Sequence, residues 1–223
     1  MSEKGLLPKV LLVLALLFLS CFSVFAETGL EIVGGFPFFT QKHEGYYSTG
    51  SDVVPGSMDI SPRGFSVGVF GSSFKEDKIV GTLGYVGLNF ITKLKVEQEI
   101  ELPGEDLESS DTIDVDDAFD SYKILNIGFG IGFKVLSLEN VNIVLAPLVN
   151  FRYEFFKNLM GTKGTDVFLG VGGAVGLDYN FTDSFYATAK AIVTYDFFLF
   201  GDDEETCESG MSILPMLGVG FRL

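Results

Sequence analysis

Apolar residues alternate with small or polar residues along most of the chain after residue 29. In the clearest run, 125–135, Leu, Ile, Phe and Val share one face, and Asn, Gly and Lys share the other. This alternation indicates a β-strand with two different surroundings. Eight such runs recur, near the length that a tilted strand needs to cross a bilayer. The predicted strands are Leu30–Phe39, Gly64–Gly71, Val80–Lys95, Leu125–Val135, Ile143–Phe155, Val167–Tyr179, Ala187–Tyr195 and Leu217–Leu223.

The connections between these runs alternate in length. Bacterial outer-membrane barrels have short turns on the periplasmic side and longer loops outside, so both termini are expected on the periplasmic side. The long connections are 40–63 and 97–121, the medium ones 156–165 and 201–212, and the short ones 72–78, 136–140 and 182–184.

Three prolines, Pro37, Pro147 and Pro215, fall inside predicted strands. Proline has no N–H to donate to a neighbouring strand, and a closed barrel has no free edge at which to place it. We therefore expect β-bulges or shifted strand ends at these positions.

The second face of each run separates a membrane barrel from a soluble one. That face is rich in Gly, Ala, Asn and single charges, which suit a narrow lumen better than an exposed sheet. The sequence predicts an all-β protein, an eight-stranded antiparallel transmembrane β-barrel spanning residues 27–223. A soluble periplasmic barrel is the alternative.

The first 26 residues are typical of a cleavable signal peptide. Lys4 and Lys9 precede an apolar run, and the small-residue pattern that follows places cleavage after Ala26. A lipoprotein with acylated Cys21 is the alternative. Cleavage after Ala26 would leave 29 acidic and 13 basic residues, with Cys207 as the one cysteine.

Composition excludes two broad classes. The net charge of −15 repels phosphate backbones, which argues against nucleic-acid binding. An apolar content of 47% is too high for a disordered chain.

The last strand, Pro215–Leu223, resembles the closing strand of small OmpA/OmpX/OmpW-type outer-membrane barrels. Segment 176–187 is similar to a periplasmic turn of that family. The resemblance implies an outer-membrane protein of a two-membrane bacterium, without the periplasmic domain of longer relatives. It also implies an assembly signal that the barrel-assembly machinery reads. The residues of that signal are Leu217, Val219, Phe221 and Leu223.

Eleven acidic residues and no basic ones lie between Glu97 and Asp120, and five more lie in 202–208. Such segments could bind divalent cations or dock basic partners. No Asp-x-Asp-x-Asp-Gly calcium loop is present, which favours solvated loops over a metal site. The weak metal candidates are Asp111, Asp114, Asp116 and Asp117.

Odd and even positions of a strand point to opposite faces, and this alternation predicts that ten polar side chains point into the lumen. Their charges have both signs, and buried charges require partners, so we expect a polar plug, with a narrow conduction path as the alternative. These residues are Glu31, Lys93, Asn126, Asn150, Arg152, Glu154, Asp178, Lys190, Asp196 and Arg222.

No catalytic constellation is predicted. His43 is the one histidine, near Ser48 and Ser51, and Cys207 lies in an acidic segment that disfavours the thiolate. No cofactor is expected.

The sequence therefore favours a monomeric structural or surface-interaction (adhesin-like) protein with acidic extracellular loops. Its expected partners are outer-membrane lipids, the barrel-assembly machinery and cationic extracellular molecules. A narrow channel for small hydrophobic or ionic solutes is the alternative.

Overall fold

A computed structural model describes residues 27–49, 52–74, 78–102, 105–201 and 207–222. These residues form ten β-strands and one short helix, α1. The elements are β1 (Glu27–Gly35), β2 (Phe38–Thr49), β3 (Asp52–Phe74), β4 (Val80–Leu102), β5 (Glu105–Asp114), α1 (Val115–Ala118), β6 (Phe119–Ser137), β7 (Val141–Asn158), β8 (Lys163–Asn180), β9 (Phe185–Gly201) and β10 (Cys207–Arg222).

The strands form one closed antiparallel ring. β10 pairs with β9 on one side and with β1 and β2 on the other, from Gly29 opposite Arg222 to His43 opposite Cys207. β1 and β2 together make one barrel strand between β10 and β3. β5 and β6 likewise follow each other along β4. The ring therefore has eight barrel strands, which confirms the predicted fold class.

The prolines lie where ladder pairing is interrupted. Pro37 separates β1 from β2, and Pro215 lies directly across, between the part of β10 that pairs with β2 and the part that pairs with β1. Beside Pro147, pairing between β6 and β7 skips from Gly130 opposite Leu148 to Phe133 opposite Leu145. The shifted strand end predicted at Pro37 is confirmed, whereas Pro147 and Pro215 remain inside continuous strands.

The barrel is taller on one side. β3 and β4 each contain 23 residues, compared with 16 in β10. We call the end that carries Gly29 and Arg222 the terminal end, and the opposite one the hairpin end. At the hairpin end, β2, β3, β4 and β5 continue together as a sheet. We call this extension the raised sheet. It contains residues 44–49, 52–60, 96–102 and 105–114.

The prediction that 40–63 and 97–121 are loops was therefore wrong. Both segments pair as antiparallel strands, and the second also contains α1. Their polar and acidic composition hid the strands, because strands beyond the bilayer have no lipid-facing apolar row to reveal them.

The outer surface carries a belt of exposed apolar side chains, while many polar residues are buried inside. This is the reverse of a water-soluble barrel, and it fits lipid outside a closed ring of hydrogen bonds. No helix among the described residues is long and apolar enough to cross a membrane. Belt residues include Leu30, Ile32, Phe65, Val67, Val69, Ile131, Val135, Leu145, Val149, Val171, Val175, Val193, Tyr195, Leu217, Val219 and Phe221.

Gly35→Ala is expected to destabilise the barrel where the end of β1 lies beside Pro215 of β10. A methyl group there would lie 1.9 Å from the Pro215 carbonyl oxygen, and relieving such overpacking costs about 1–3 kcal/mol. Gly34→Ala is the matched control, because its nearest new neighbour is the Ser66 carbonyl oxygen at 3.4 Å. Urea titration of the barrel in lipid vesicles measures the free energy of unfolding. An equal loss of unfolding free energy in both variants would contradict the expected clash with Pro215.

Candidate functional site

A fully buried arginine crosses the lumen towards the hairpin end. Arg152 Nε lies 3.0 Å from Glu154 Oε1, and Arg152 Nη1 lies 2.8 Å from Asp196 Oδ2. Arg152 Nη1 also donates to Ser212 Oγ at 3.3 Å. We call Tyr122, Arg152, Glu154, Asp196 and Ser212 the Arg152 cluster; it joins side chains of β6, β7, β9 and β10.

The carboxylates of this cluster accept further hydrogen bonds. Tyr122 donates its hydroxyl proton to Glu154, and Ser212 donates to Asp196. Thr194 Oγ1 lies 2.7 Å from Asp196 Oδ1. Each buried carboxylate is thus bound to the guanidinium and to at least one hydroxyl group, as charges removed from water require.

Aromatic rings lie against the guanidinium. Arg152 Cζ is 3.9 Å from the centre of the Phe168 ring and 5.5 Å from that of Phe39. Both rings are buried and exclude water while attracting the cation through their π faces.

Glycine provides the space that these side chains occupy. Gly170 of β8 lies across from Asp196, and a Cβ atom there would be 2.3 Å from Asp196 Oδ1. The lumen-facing glycines of the sequence pattern therefore accommodate large charged residues from neighbouring strands.

A second ionic group lies nearer the terminal end. Lys190 Nζ is 3.1 Å from Glu31 Oε2 and 3.6 Å from Asp178 Oδ1. Tyr186 donates to Glu31 at 3.1 Å, and Thr188 donates to Asp178 at 2.7 Å. We call these five residues the Lys190 cluster.

Buried amides and aromatic rings accompany the two ionic clusters in the barrel interior. Asn150 Nδ2 donates to Asn126 Oδ1 at 2.9 Å, and Asn89 Nδ2 donates to the Ile124 carbonyl oxygen at 2.8 Å. The Tyr85 ring packs beside a buried phenylalanine of β3. Asn89, Asn126, Asn150 and Tyr85 are all fully buried.

Apolar residues form a layer around α1 at the hairpin end. α1 interrupts the strand made by β5 and β6 and buries Val115 with Leu94 and Ile124 in a hydrophobic cluster. Phe119 and Phe156 pack against this cluster, which also contains Met216 of β10. The interior of the barrel therefore holds apolar packing beside its ionic clusters.

A cavity of about 510 Å³ opens at the terminal end. Its lining includes Asp178, Tyr186 and Lys190 of the Lys190 cluster, together with Arg222. The Lys190 cluster thus forms part of the wall of a vestibule, beyond which lie the buried amides and the Arg152 cluster.

The structure places eight of the ten predicted lumen residues in the barrel interior. These are Glu31, Asn126, Asn150, Arg152, Glu154, Asp178, Lys190 and Asp196. Arg222 is half-buried at the terminal end, where it donates to Asn180 Oδ1 at 2.7 Å and lies 4.8 Å from the Tyr186 ring.

The inward orientation predicted for Lys93 was wrong. Lys93 is exposed and lies 3.8 Å from Asp114. The register shifts from Arg63 opposite Lys93 to Gly64 opposite Ile91, so β4 contains one extra residue, Thr92. This bulge reverses the parity of the following residues.

Several lumen residues were missed by the prediction. Thr194 lies at an inward position of a predicted strand and could have been included by parity, whereas Ser212 fell in the predicted connection 201–212. Tyr122 precedes the predicted start of its strand, and Phe39 lies at the predicted end of another. Their roles depend on strand lengths that the apolar alternation did not define.

The four metal candidates, Asp111, Asp114, Asp116 and Asp117, are exposed at the hairpin end. Within the described part of the chain, no three Asp, Glu, His or Cys residues are grouped to hold a metal ion. The acidic residues Asp202, Asp203, Glu204 and Glu205 lie outside the described residues.

The remaining candidates fall on the wall or outside the described chain. Leu217, Val219 and Phe221 expose their side chains on the lipid-facing belt. Ala26, Cys21 and Leu223 lie outside the described residues. His43 is buried on β2, with 7% of its surface exposed.

The fold is similar to those of known outer-membrane proteins. Neisserial surface protein A is 12% identical, with 89% of this chain and 99% of that protein covered and a TM-score of 0.49. The outer membrane protease OmpT from Escherichia coli is 8% identical, with 90% and 98% covered and a TM-score of 0.50. The attachment invasion locus protein Ail of Yersinia pestis, in complex with the heparin analogue sucrose octasulfate, is 16% identical, with 89% and 100% covered and a TM-score of 0.42.

No protein-family model matches the sequence, and no curated protein matches it. At 8% identity, the match to OmpT shows a shared barrel fold. The closed ring, its apolar belt and this fold place the protein in the outer membrane of a two-membrane bacterium, as the closing strand predicted.

Arg152→Met is expected to destabilise the barrel by about 3–5 kcal/mol, because it leaves Glu154 and Asp196 buried without their cation. Adding Glu154→Gln and Asp196→Asn removes the uncompensated charges and should recover part of the loss. Lys157→Met, which breaks the exposed pair with Asp120, should change the urea midpoint little. If Arg152→Met and Lys157→Met have the same small effect, the cluster is not the stabilising element described.

Proposed function

We propose that this protein is a non-conducting outer-membrane barrel that acts at the cell surface by docking cationic partners on its raised sheet. The observation that carries the proposal is the Arg152 cluster. Its guanidinium and both of its carboxylates are fully buried inside the barrel, towards the hairpin end. A barrel closed in this way acts through its ends.

The closure argues against the alternative of a narrow channel. An ion would have to displace Arg152 from two carboxylates and two aromatic rings, and then pass the apolar layer around Val115. A hydrophobic solute would meet the buried amides of Asn126 and Asn150. The cavity at the terminal end is a vestibule in this proposal, and no continuous path leads from it.

The raised sheet supplies the surface. Glu99 of β4 lies directly opposite Glu108 of β5, and Asp59 of β3 lies opposite Glu97 of β4. Like charges placed directly across a ladder destabilise a sheet, and a cationic partner would relieve that repulsion. This placement supports a docking role more strongly than scattered surface charge would.

Some carboxylates of the hairpin end are already paired. Lys95 lies 2.7 Å from Glu97, and the hydrogen bond from Lys157 lowers the pKa of the Asp120 carboxyl below its usual range. Glu99 and Glu108, which lie opposite each other, are in none of the ion pairs described for this end and are therefore available to a partner.

The orientation, assembly and oligomeric state belong to the same proposal. Short turns at 138–140 and 181–184 support a periplasmic terminal end, which would direct the raised sheet outward. The exposed row Leu217, Val219 and Phe221 would be read by the barrel-assembly machinery. In this proposal the barrel is a monomer without catalytic activity; its one imidazole, His43, is buried on β2.

The purified protein is expected to be electrically silent in a planar bilayer, because the lumen is closed. Heat-dependent gel mobility provides the folding control. A second measurement tests whether the Arg152 cluster closes the lumen. The variant that combines Arg152→Met, Glu154→Gln and Asp196→Asn should show conductance events more often than the unaltered protein. Reproducible current steps from the unaltered protein would contradict the proposal and favour a channel.

Binding of poly-lysine to the protein in lipid nanodiscs should weaken on neutralisation of the raised sheet. Glu99→Gln with Glu108→Gln is expected to lower the affinity about 5- to 10-fold at low salt, from two lost close charges. The matched control is Glu139→Gln with Asp183→Asn, which removes the same charge from exposed turns at the terminal end. An equal loss in both double variants would contradict docking on the raised sheet.

A further inference from the structure

Strand β5 has a partner on one side. Glu105–Asp114 pairs with Lys93–Leu102 of β4 over its full ten residues. Among the described strands, none pairs with its other side. An edge of this kind presents a row of unpaired N–H and C=O groups, which is a template for another strand.

One hydrogen bond identifies the peptide groups that face the free side. The Thr112 N–H donates to Asp111 Oδ1 at 2.7 Å, so it is turned away from β4. In an antiparallel strand, the N–H and C=O of one residue point to the same side, and that side alternates along the chain. The peptide groups of Glu108 and Ser110 therefore also face the free edge.

The two faces of β5 differ in chemistry. On one face, Glu108 lies beside Glu99 of β4. On the other face, Leu107 lies beside Ile100, and Leu107 is 48% exposed. A strand added at this edge would meet carboxylates on one face and an uncovered aliphatic side chain on the other.

We infer that the free edge of β5 binds an extended segment of a partner protein as an added strand, and that basic and apolar residues alternate in that segment. The inference rests on the proposed function and specifies how its cationic partner binds. Basic side chains of the added strand meet Glu99 and Glu108, and its apolar side chains cover Leu107. Main-chain hydrogen bonds to Glu108 and Ser110 hold it in register.

A second copy of this chain does not fit the same edge. Pairing β5 with β5 would bring a second set of carboxylates beside Glu108, which destabilises the ladder. Segment 105–114 also lacks the lysine and proline residues that commonly prevent edge pairing. Its acidic residues therefore repel self-association while admitting a basic strand.

The test uses two peptides of equal length and charge. One is (Lys-Val)₅, and the other has the same sequence with every backbone amide N-methylated, so that it cannot donate main-chain hydrogen bonds. Fluorescence anisotropy measures their binding to the full protein in nanodiscs. We expect the unmethylated peptide to bind at least about 10-fold more tightly, because only it can donate hydrogen bonds to the carbonyl groups of β5 and approach the edge without N-methyl groups in the way.

The matched protein variants are Ser110→Pro and Ser110→Ala. Proline removes the N–H that faces the free edge, at a position where a strand tolerates it, and alanine retains that N–H. Ser110→Pro is expected to weaken binding of the unmethylated peptide towards that of the methylated one, because the proline ring blocks the edge and one donor is lost, whereas Ser110→Ala should preserve the difference. Heat-dependent gel mobility shows whether each variant is folded.

Each outcome decides between the proposals. Equal binding of the two peptides by the unaltered protein overturns strand addition and leaves cationic docking standing. If neither peptide binds, the proposed function fails, and this inference fails with it. A complex containing two copies of the protein, detected by mass photometry, would overturn the assignment of the edge to a basic partner.

A second measurement applies if Ser110→Pro does not fold. Hydrogen exchange of the Glu108 and Ser110 amides in the unaltered protein should slow at least about 10-fold when the unmethylated peptide is bound. Unchanged exchange at these amides with the peptide bound would overturn the inference.

Discussion

Lipid offers no hydrogen-bond partner to a peptide group, and this constraint determines the architecture of the membrane-spanning part. Every strand there needs a neighbour on both sides, so β10 must return to β1 and β2. A ring of eight strands leaves a lumen that side chains can fill. The apolar belt outside and the buried polar residues inside both follow from that closure.

Closure also explains why the lumen is ionic. Polar and apolar side chains share the inward positions, and the charges among them are stable only when paired. Arg152 is therefore held by Glu154 and Asp196, and Lys190 by Glu31 and Asp178. In the proposed function, the same pairing closes the lumen, and the protein acts through its ends, where the constraint of the lipid no longer applies.

In the raised sheet, peptide groups no longer need a neighbouring strand on both sides. Above the bilayer, β5 can keep a free edge, because water satisfies its peptide groups. The acidic residues along it limit pairing with a second copy. A sheet that carries closely opposed carboxylates at Glu99 and Glu108 is suited to partners of opposite charge. The proposed docking surface thus begins where the membrane constraint ends.

Period-two alternation was enough to predict the eight barrel strands and the inward direction of Arg152, Asp196 and Lys190, because lipid and lumen impose opposite requirements on successive residues. It failed where a local event changes parity, as the bulge at Thr92 does for Lys93. It also failed in the raised sheet, where no lipid selects an apolar row. The pairing of Arg152 with particular carboxylates depends on the register between strands, which a single sequence does not display.

Hydrogen exchange at the Arg152 guanidinium, followed by NMR in lipid nanodiscs, is the most direct test of the closed lumen. The account predicts that its Nε–H exchanges far more slowly than that of the exposed Arg63, because water does not reach the buried ion pairs. Exchange at the same rate in both residues would show a hydrated lumen and contradict the account.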